Sequence, residues 1–418
     1  MVTPIGILIA LYYRIIGFER SIPFAGIALV LAALYAVATE TLSKREPRPG
    51  LDAAGAIFAT GAIAALALTL TFALEKGWLT VSLALMVPGT AWVAEKRPLP
   101  ALRFVAAALV LIVLARVWWE PRIVGRDVGT TPLFNWLLYG YGVPALAFWT
   151  AGYLLRRRAD DVPARMTDAA AILFTVLFGV LEIRHFMTHG EVFRASTGLA
   201  ELALQVSLGL ALASGLERVR GRTRSITHDI GALVIAALAL VGIVVGLLFA
   251  ELPLSTGEPV GGLVINLILL GYGLPAVLAI VLALVTRTTR PRAFRAVAVA
   301  VSVALALVYL SLEVTRFYQG PVLSFGPTTD AEQYTYSVVW LAFGVVLLVA
   351  GMLLRSQQAR LASAAVILIT VAKVFVVDMS GLEGVWRALS FIGLGLVLVG
   401  IGWLYQRLLF RPRGATSA

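Results

Sequence analysis

Apolar runs of about 17 to 25 residues follow one another along nearly the whole chain, each the length of a helix that crosses a bilayer. No other feature narrows the fold so far. Hydrocarbon offers a backbone amide no partner, so such a run must satisfy its own N–H and C=O groups as a helix. Composition agrees: of 418 residues, 60% are hydrophobic and 14% charged, against roughly 25% charged in soluble chains. The expected fold is all-α, a polytopic transmembrane helical bundle of about 14 spans, centred near residues 11, 32, 62, 86, 109, 143, 176, 208, 239, 273, 303, 343, 369 and 396. The first is short and carries Arg14, which must snorkel outward or find a partner. It lacks the basic leader and small-residue cleavage site of a secretory signal, so it reads as an uncleaved or half-embedded helix.

The net charge of +11 is carried largely by short loops and ends on one side. Seven loops or ends, at 43–48, 95–103, 156–165, 217–224, 287–295, 355–360 and 407–413, hold 23 of the 34 Lys and Arg residues. The intervening loops hold Arg20, Lys76, Arg122, Arg126 and Arg194. By the positive-inside rule the basic side is cytoplasmic, every loop alternates correctly, and both termini face the cytoplasm. Scattered hems are not the basic face that nucleic acid requires, so the lipid bilayer is the expected partner and nucleic acid is not.

The stretch NWLLYGYGVPAL, Asn135 to Leu146, returns as NLILLGYGLPAV, Asn266 to Val277, with seven of twelve positions identical at an offset of 131. The same offset carries Glu182 to Glu313, Glu201 to Glu332 and Arg224 to Arg355. Residues 131–258 and 262–380 therefore read as two four-helix repeats, parallel because each holds an even number of spans. Residues 1–128 read as diverged material of the same kind, about five spans, in which Arg103 and Arg116 stand thirteen apart, as do Arg360 and Lys373. Residues 381–418 read as a final span and a basic cytoplasmic tail.

Within each motif a proline removes an amide donor and crowds the carbonyl four residues earlier: Pro144 against Gly140, Pro275 against Gly271. Together with Gly142 and Gly273 these residues mark expected helix breaks. Two readings follow, a kinked and closely packed helix, or a bent or broken helix lining a substrate site. Gly-x-Gly inside a span, with no strand before it, is not a dinucleotide loop. Gly-Tyr-Gly without a Thr-Val lead-in, in a full-length span, is not a potassium filter.

Charged residues inside the spans gather near their non-cytoplasmic ends. Asn135, Tyr141, Glu182, Arg184, Asn266, Tyr272, Glu313, Arg316 and Lys373 form an expected polar layer opening outward. Arg14, Arg116 and Arg387 suit an interfacial belt of snorkelling side chains. Carboxylates are too short to snorkel far, so Glu182 and Glu313 are expected to pair inside the bundle. Glu182, His185 and His189 share a helix face and imitate a metal site, but the second copy has Glu313, Arg316 and Gly320 there, and no metal is expected. Asp52, Asp168 and Asp229, at the cytoplasmic starts of spans, are expected to serve the helix dipole. With no cysteine, disulfides, thiolate metal sites and cysteine nucleophiles are excluded. No phosphate-binding loop is present, no cofactor is expected and no catalytic residue is assigned.

The segment KVFVVDMSGLEGVWRALSFIGLGLVLVGIGWLYQR, Lys373 to Arg407, resembles the C-terminal signature of a bacterial membrane-protein family, domain of unknown function 2339. NWLLYGYGVPAL and EQYTYS, Glu332 to Ser337, resemble the same family. Its members are typically longer, so the chain is similar to a C-terminal portion or a short member. The resemblance implies an inner-membrane location and brings no characterised activity. Three functions are compatible with the residues: a carrier or exporter component for a small or amphipathic envelope solute, a membrane scaffold, and an outer-leaflet lipid- or glycan-modifying enzyme using Glu182 or Glu313 as base.

Overall fold

The computed structural model describes residues 2–17, 19–45, 50–96, 99–119, 128–194, 198–262 and 265–379, with seven further residues between 392 and 403. The expected final span near residue 396 and its basic tail lie largely outside the described residues, as do Arg122, Arg126 and Arg387. Among the described residues the regular secondary structure is all helical, with no strands. The helices are α1 (Val2–Ile16), α2 (Ile22–Ser43), α3 (Leu51–Ala73), α4 (Lys76–Lys96), α5 (Pro100–Trp119), α6 (Val143–Arg156) and α7 (Val162–Met187). They continue as α8 (Leu199–Thr223), α9 (Ile226–Val241), α10 (Pro253–Thr256), α11 (Leu274–Val285), α12 (Arg292–Gln319), α13 (Asp330–Leu353) and α14 (Gln357–Lys373).

Among the described residues, ten helices are long and apolar enough to cross a membrane. In α13 just 17% of the apolar window is buried inside the protein, so most of this surface needs an apolar surrounding that the protein does not supply. A bilayer supplies it. The other four expected spans are α1, with 15 residues, the two Gly-Tyr-Gly helices and the segment near residue 396.

The chain divides into two compact units, residues 1–197 with 219–234, and residues 198–218 with 235–418. In the first, α4 packs on α5 and α6, and α7 packs on α5 and α6. Its core alternates large side chains (Leu83, Val110, Phe148, Phe174) with fully buried alanines (Ala84, Ala106, Ala151, Ala171). Small residues let helix backbones approach closely where lipid provides no hydrophobic drive to associate. Beside this core α2 packs on α3, with Tyr12, Phe24 and Phe72 clustered at centroid separations of 4.1 to 6.3 Å. In the second unit α11 packs on α12, α13 on α14, and α12 on both α13 and α14.

The expected helix breaks take another form. The backbone stays helical through both motifs but widens into π-helix at Leu138–Gly142 and Leu269–Gly273. The amide of Val143 reaches back to Leu138, and that of Leu274 to Leu269, one residue further than in an α-helix. One extra residue in the turn absorbs the missing donor of Pro144 and Pro275 without cutting the helix. Gly142 and Gly273 are needed for space: an added Cβ would lie 2.9 Å from Leu138 and 2.8 Å from Leu269. Two more π-helical segments end other spans, at Gly242–Ala250 and Val374–Asp378. The Tyr272 hydroxyl donates to the Leu247 carbonyl inside the first of these, at 2.6 Å. Tyr272→Phe leaves that buried carbonyl without this donor and should lower stability by about 1–3 kcal/mol. Thermal melts in a fixed detergent check this.

Candidate functional site

Two asparagine–glutamate pairs, the first buried and the second partly so, stand at the ends of the helices away from the basic hems. In the first unit Asn135 immediately precedes the helical turn that leads into Leu138–Gly142. Its Oδ1 accepts from the Leu137 amide at 2.7 Å and so caps the helix start. Its Nδ2 donates to both oxygens of Glu182, on α7, at 3.0 Å. Glu182 Oε1 also accepts the Leu133 amide at 2.5 Å, and Leu133 holds a positive φ of 65°. His185, one turn further along α7, donates from Nε2 to the Gly129 carbonyl at 2.7 Å. The irregular segment before the motif is thus held by α7 at two levels. Beside it a cavity of about 280 Å³ is lined by Thr130, Pro132, His185, Phe186, Met187 and His189.

The second unit repeats the scheme with one exchange. Asn266 Oδ1 caps the Leu269 amide at 2.8 Å, and its Nδ2 donates to Glu313 Oε1 at 2.7 Å. Arg316 takes the position of His185, donating to the Gly261 carbonyl at 2.9 Å and lying 4.0 Å from Glu313 Oε2. Glu313 thus faces a cation as well as an amide, whereas the donors to Glu182 are neutral amides.

Lys373 organises a third polar group. Its Nζ donates to Asp378 at 2.6 Å, to the Ser337 hydroxyl at 2.8 Å and to the Gln333 carbonyl at 2.6 Å. Ser337 donates in turn to the second Asp378 oxygen at 2.5 Å. The ring of Tyr336 lies 5.8 Å from Nζ, and its hydroxyl donates to Glu332 at 2.9 Å.

Of the residues expected in the polar layer, the structure pairs Asn135 with Glu182, Asn266 with Glu313 and Arg316, and places Lys373 in its own network. Arg184 donates to the Arg194 carbonyl. Tyr141 and Tyr272 are 4% and 0% exposed, with Tyr141 packed against Phe174 and Tyr272 hydrogen-bonded to the Leu247 carbonyl. Sequence reasoning missed Asp378 and Ser337, whose distances from Lys373 along the chain carry no helical spacing. Among the described residues, no group of three or more metal-ligating side chains is placed to hold an ion.

At the opposite, basic end one expectation is corrected. Asp168 does not serve the start of α7; it is fully buried, in an ion pair with Arg156. The cap is Asp161, which accepts from the Ala164 amide at 3.2 Å and from Arg103 at 2.6 and 2.7 Å. Burial pushes the Asp161 carboxyl up, but these donors outweigh it and hold the group below the usual carboxylate range. A lowered folded-state value means that its stabilisation is full above the unfolded value of about 3.9 and is lost as pH falls through the folded one. Gly152 makes room for Asp168, since a Cβ there would collide with its carboxylate. Gly152→Ala should therefore destabilise the first unit by about 1–3 kcal/mol, readable in the same melts.

No curated protein and no solved structure matches the chain. A family model described as a predicted membrane protein (DUF2339) matches residues 1–408. That span takes in both asparagine–glutamate pairs, the Lys373 network and the Asp168 cluster, and the chain therefore belongs to this family of multi-pass membrane proteins of unknown function.

Proposed function

We propose that the protein is a carrier or exporter component of the bacterial inner membrane, acting on a small or amphipathic solute of the cell envelope. In this reading about fourteen spans include tandem parallel repeats at 131–258 and 262–380, both termini are cytoplasmic, and the polar layer faces outward. The observation that carries the reading is the attachment of each Asn–Glu pair to a π-widened, proline-containing helix. Carboxylates at membrane depth and π-turns both concentrate at sites that bind and move.

The helix boundaries support the repeat: α11, α13 and α14 each begin 131 residues after α6, α8 and α9. Arg224 and Arg355, at the same interval, both hold positive φ, 53° and 50°. The diverged N-terminal region fits the same plan. Arg116 reaches Thr80, 36 residues earlier, at 3.4 Å, and Lys373 reaches Ser337 across the same 36 residues. Between them, Val206 and Gly242 occupy the matching interval with no polar group.

Because the chain has no cysteine, single cysteines report without background. Cysteines replacing Glu182 and Glu313 should react with a membrane-impermeant thiol reagent added to intact cells. Those replacing Tyr141 and Tyr272 should react far more slowly, and faster when transported solute is present. Reconstituted vesicles should take up or release a member of a broad solute panel. Vesicles inert to the whole panel, with polar-layer substitutions all tolerated in cells, would instead establish a scaffold whose Gly-Tyr-Gly-x-Pro turns are packing devices.

A further inference from the structure

The buried cluster at the basic end of the first unit has a feature that its ion pair does not explain. Asp168 lies six residues into α7, about 9 Å from its start at 1.5 Å per residue. Arg156 of α6 contacts Asp168 Oδ1. The other oxygen, Oδ2, faces Nε2 of His228, on α9, at 3.7 Å, and both side chains are fully buried. Trp149 stacks on the imidazole at 5.7 Å and is itself anchored by its N–H to Thr175 at 3.0 Å.

The Thr223 hydroxyl lies 3.1 Å from the Val219 carbonyl and 2.8 Å from His228 Nδ1. With its hydrogen given to Val219, as in a back-bonded helical threonine, the ring hydrogen is on Nδ1 and Nε2 is a bare acceptor. Neither Nε2 nor Oδ2 has a hydrogen-bond partner among the described residues. In that tautomer Nε2 and Oδ2 are two buried acceptors facing each other, each missing a donor. One proton supplies it to both.

Arg156 balances Asp168, so a bound proton gives the cluster one positive charge, and Asp160 is the further acidic group that both Asp168 and His228 feel. Asp160, in the α6–α7 turn, lies close enough to accept from Ser225 at 3.4 Å and is shared with Arg165 at 3.5 Å. Arg220 is paired with Asp229 at 2.6 Å. At the matching positions 131 residues on stand Val299 for Asp168, Ala359 for His228, Ile280 for Trp149, Ala283 for Gly152 and Leu354 for Thr223; Arg287 alone is kept.

We propose that Asp168 and His228 form a buried binding site for a single proton, present once per chain, and that it is the coupling-ion site of the carrier. The coupling role rests on the transport reading; the proton site does not.

The chain has three histidines, so ¹⁵N-histidine spectra of the full-length protein in nanodiscs resolve His228 once His228→Gln identifies it. At neutral pH its signal should show hydrogen on Nδ1, and acidification should give one protonation step. Asp168→Asn should weaken proton binding by about tenfold or more, one pH unit or more. Thr223→Val, which leaves the facing atoms in place, should remove the Nδ1 preference. A hydrogen found on Nε2 at neutral pH, a signal static between pH 4 and 9, or a titration unmoved by Asp168→Asn overturns the proton site, whatever the vesicles do. If the titration behaves as expected while vesicles move no solute, the site stands and the coupling role falls with the carrier.

Discussion

Lys373→Ala is expected to cost about 3–5 kcal/mol, because it removes the cation from a carboxylate that has nowhere else to send its charge. Asp378 is 2% exposed, and without Lys373 its hydrogen-bond donor in the network is the Ser337 hydroxyl. The Gln333 carbonyl also loses the donor 2.6 Å away. Removing both charges should be milder than removing one, since the double variant Lys373→Ala, Asp378→Ala leaves no ion in the interior. A double-mutant cycle of melts in one detergent decides the matter. If the single variant is no worse than the double, the pair is hydrated rather than buried, and the network has been misread.

The second large effect is at Glu182. Glu182→Ala strips acceptors from the Leu133 amide and from Asn135 Nδ2, and should destabilise the first unit by about 2–5 kcal/mol. Glu182→Gln keeps one acceptor oxygen but turns an amide nitrogen toward the other donors, so it should fold with a loss of about 1–3 kcal/mol. In the carrier reading, Glu182→Gln abolishes solute flux at temperatures where the protein is fully folded. Glu313→Gln makes the comparison informative. It also leaves Arg316 without the carboxylate 4.0 Å away, so it should be the more salt- and detergent-sensitive of the two glutamine variants. Flux retained in both would remove the carboxylates from the mechanism and leave them as fasteners of the loop before each motif.

Much of the architecture is legible in the sequence because the bilayer imposes it. Span length and continuous hydrophobicity follow from backbone satisfaction in lipid, and need no tertiary information. The two Asn–Glu pairs were within reach for a related reason: both are separated by 47 residues, so one internal comparison marks them together. The Asp168 cluster was not. Its members come from α6, α7 and α9, with 60 residues between Asp168 and His228, and its absence from the second copy removes the comparison that marks the other pairs. Asp168 also sits where an acid near a helix start ordinarily serves the dipole, and packing rather than local preference decides otherwise. The Tyr272 contact is equally out of reach: its hydroxyl donates to a buried carbonyl 25 residues earlier, a partner that no local spacing marks.

A π-turn next to a proline is also a torsional joint. Returning Leu138–Gly142 to α-geometry would pass the surplus residue along the chain and rotate Asn135 by about 100° around the axis relative to Pro144. In α-geometry the Gly140 carbonyl would face Pro144, which has no amide to offer, so such a winding motion would cost one backbone hydrogen bond while it swung Asn135 away from Glu182. Leu269–Gly273 and Pro275 set the same condition on Asn266 and Glu313.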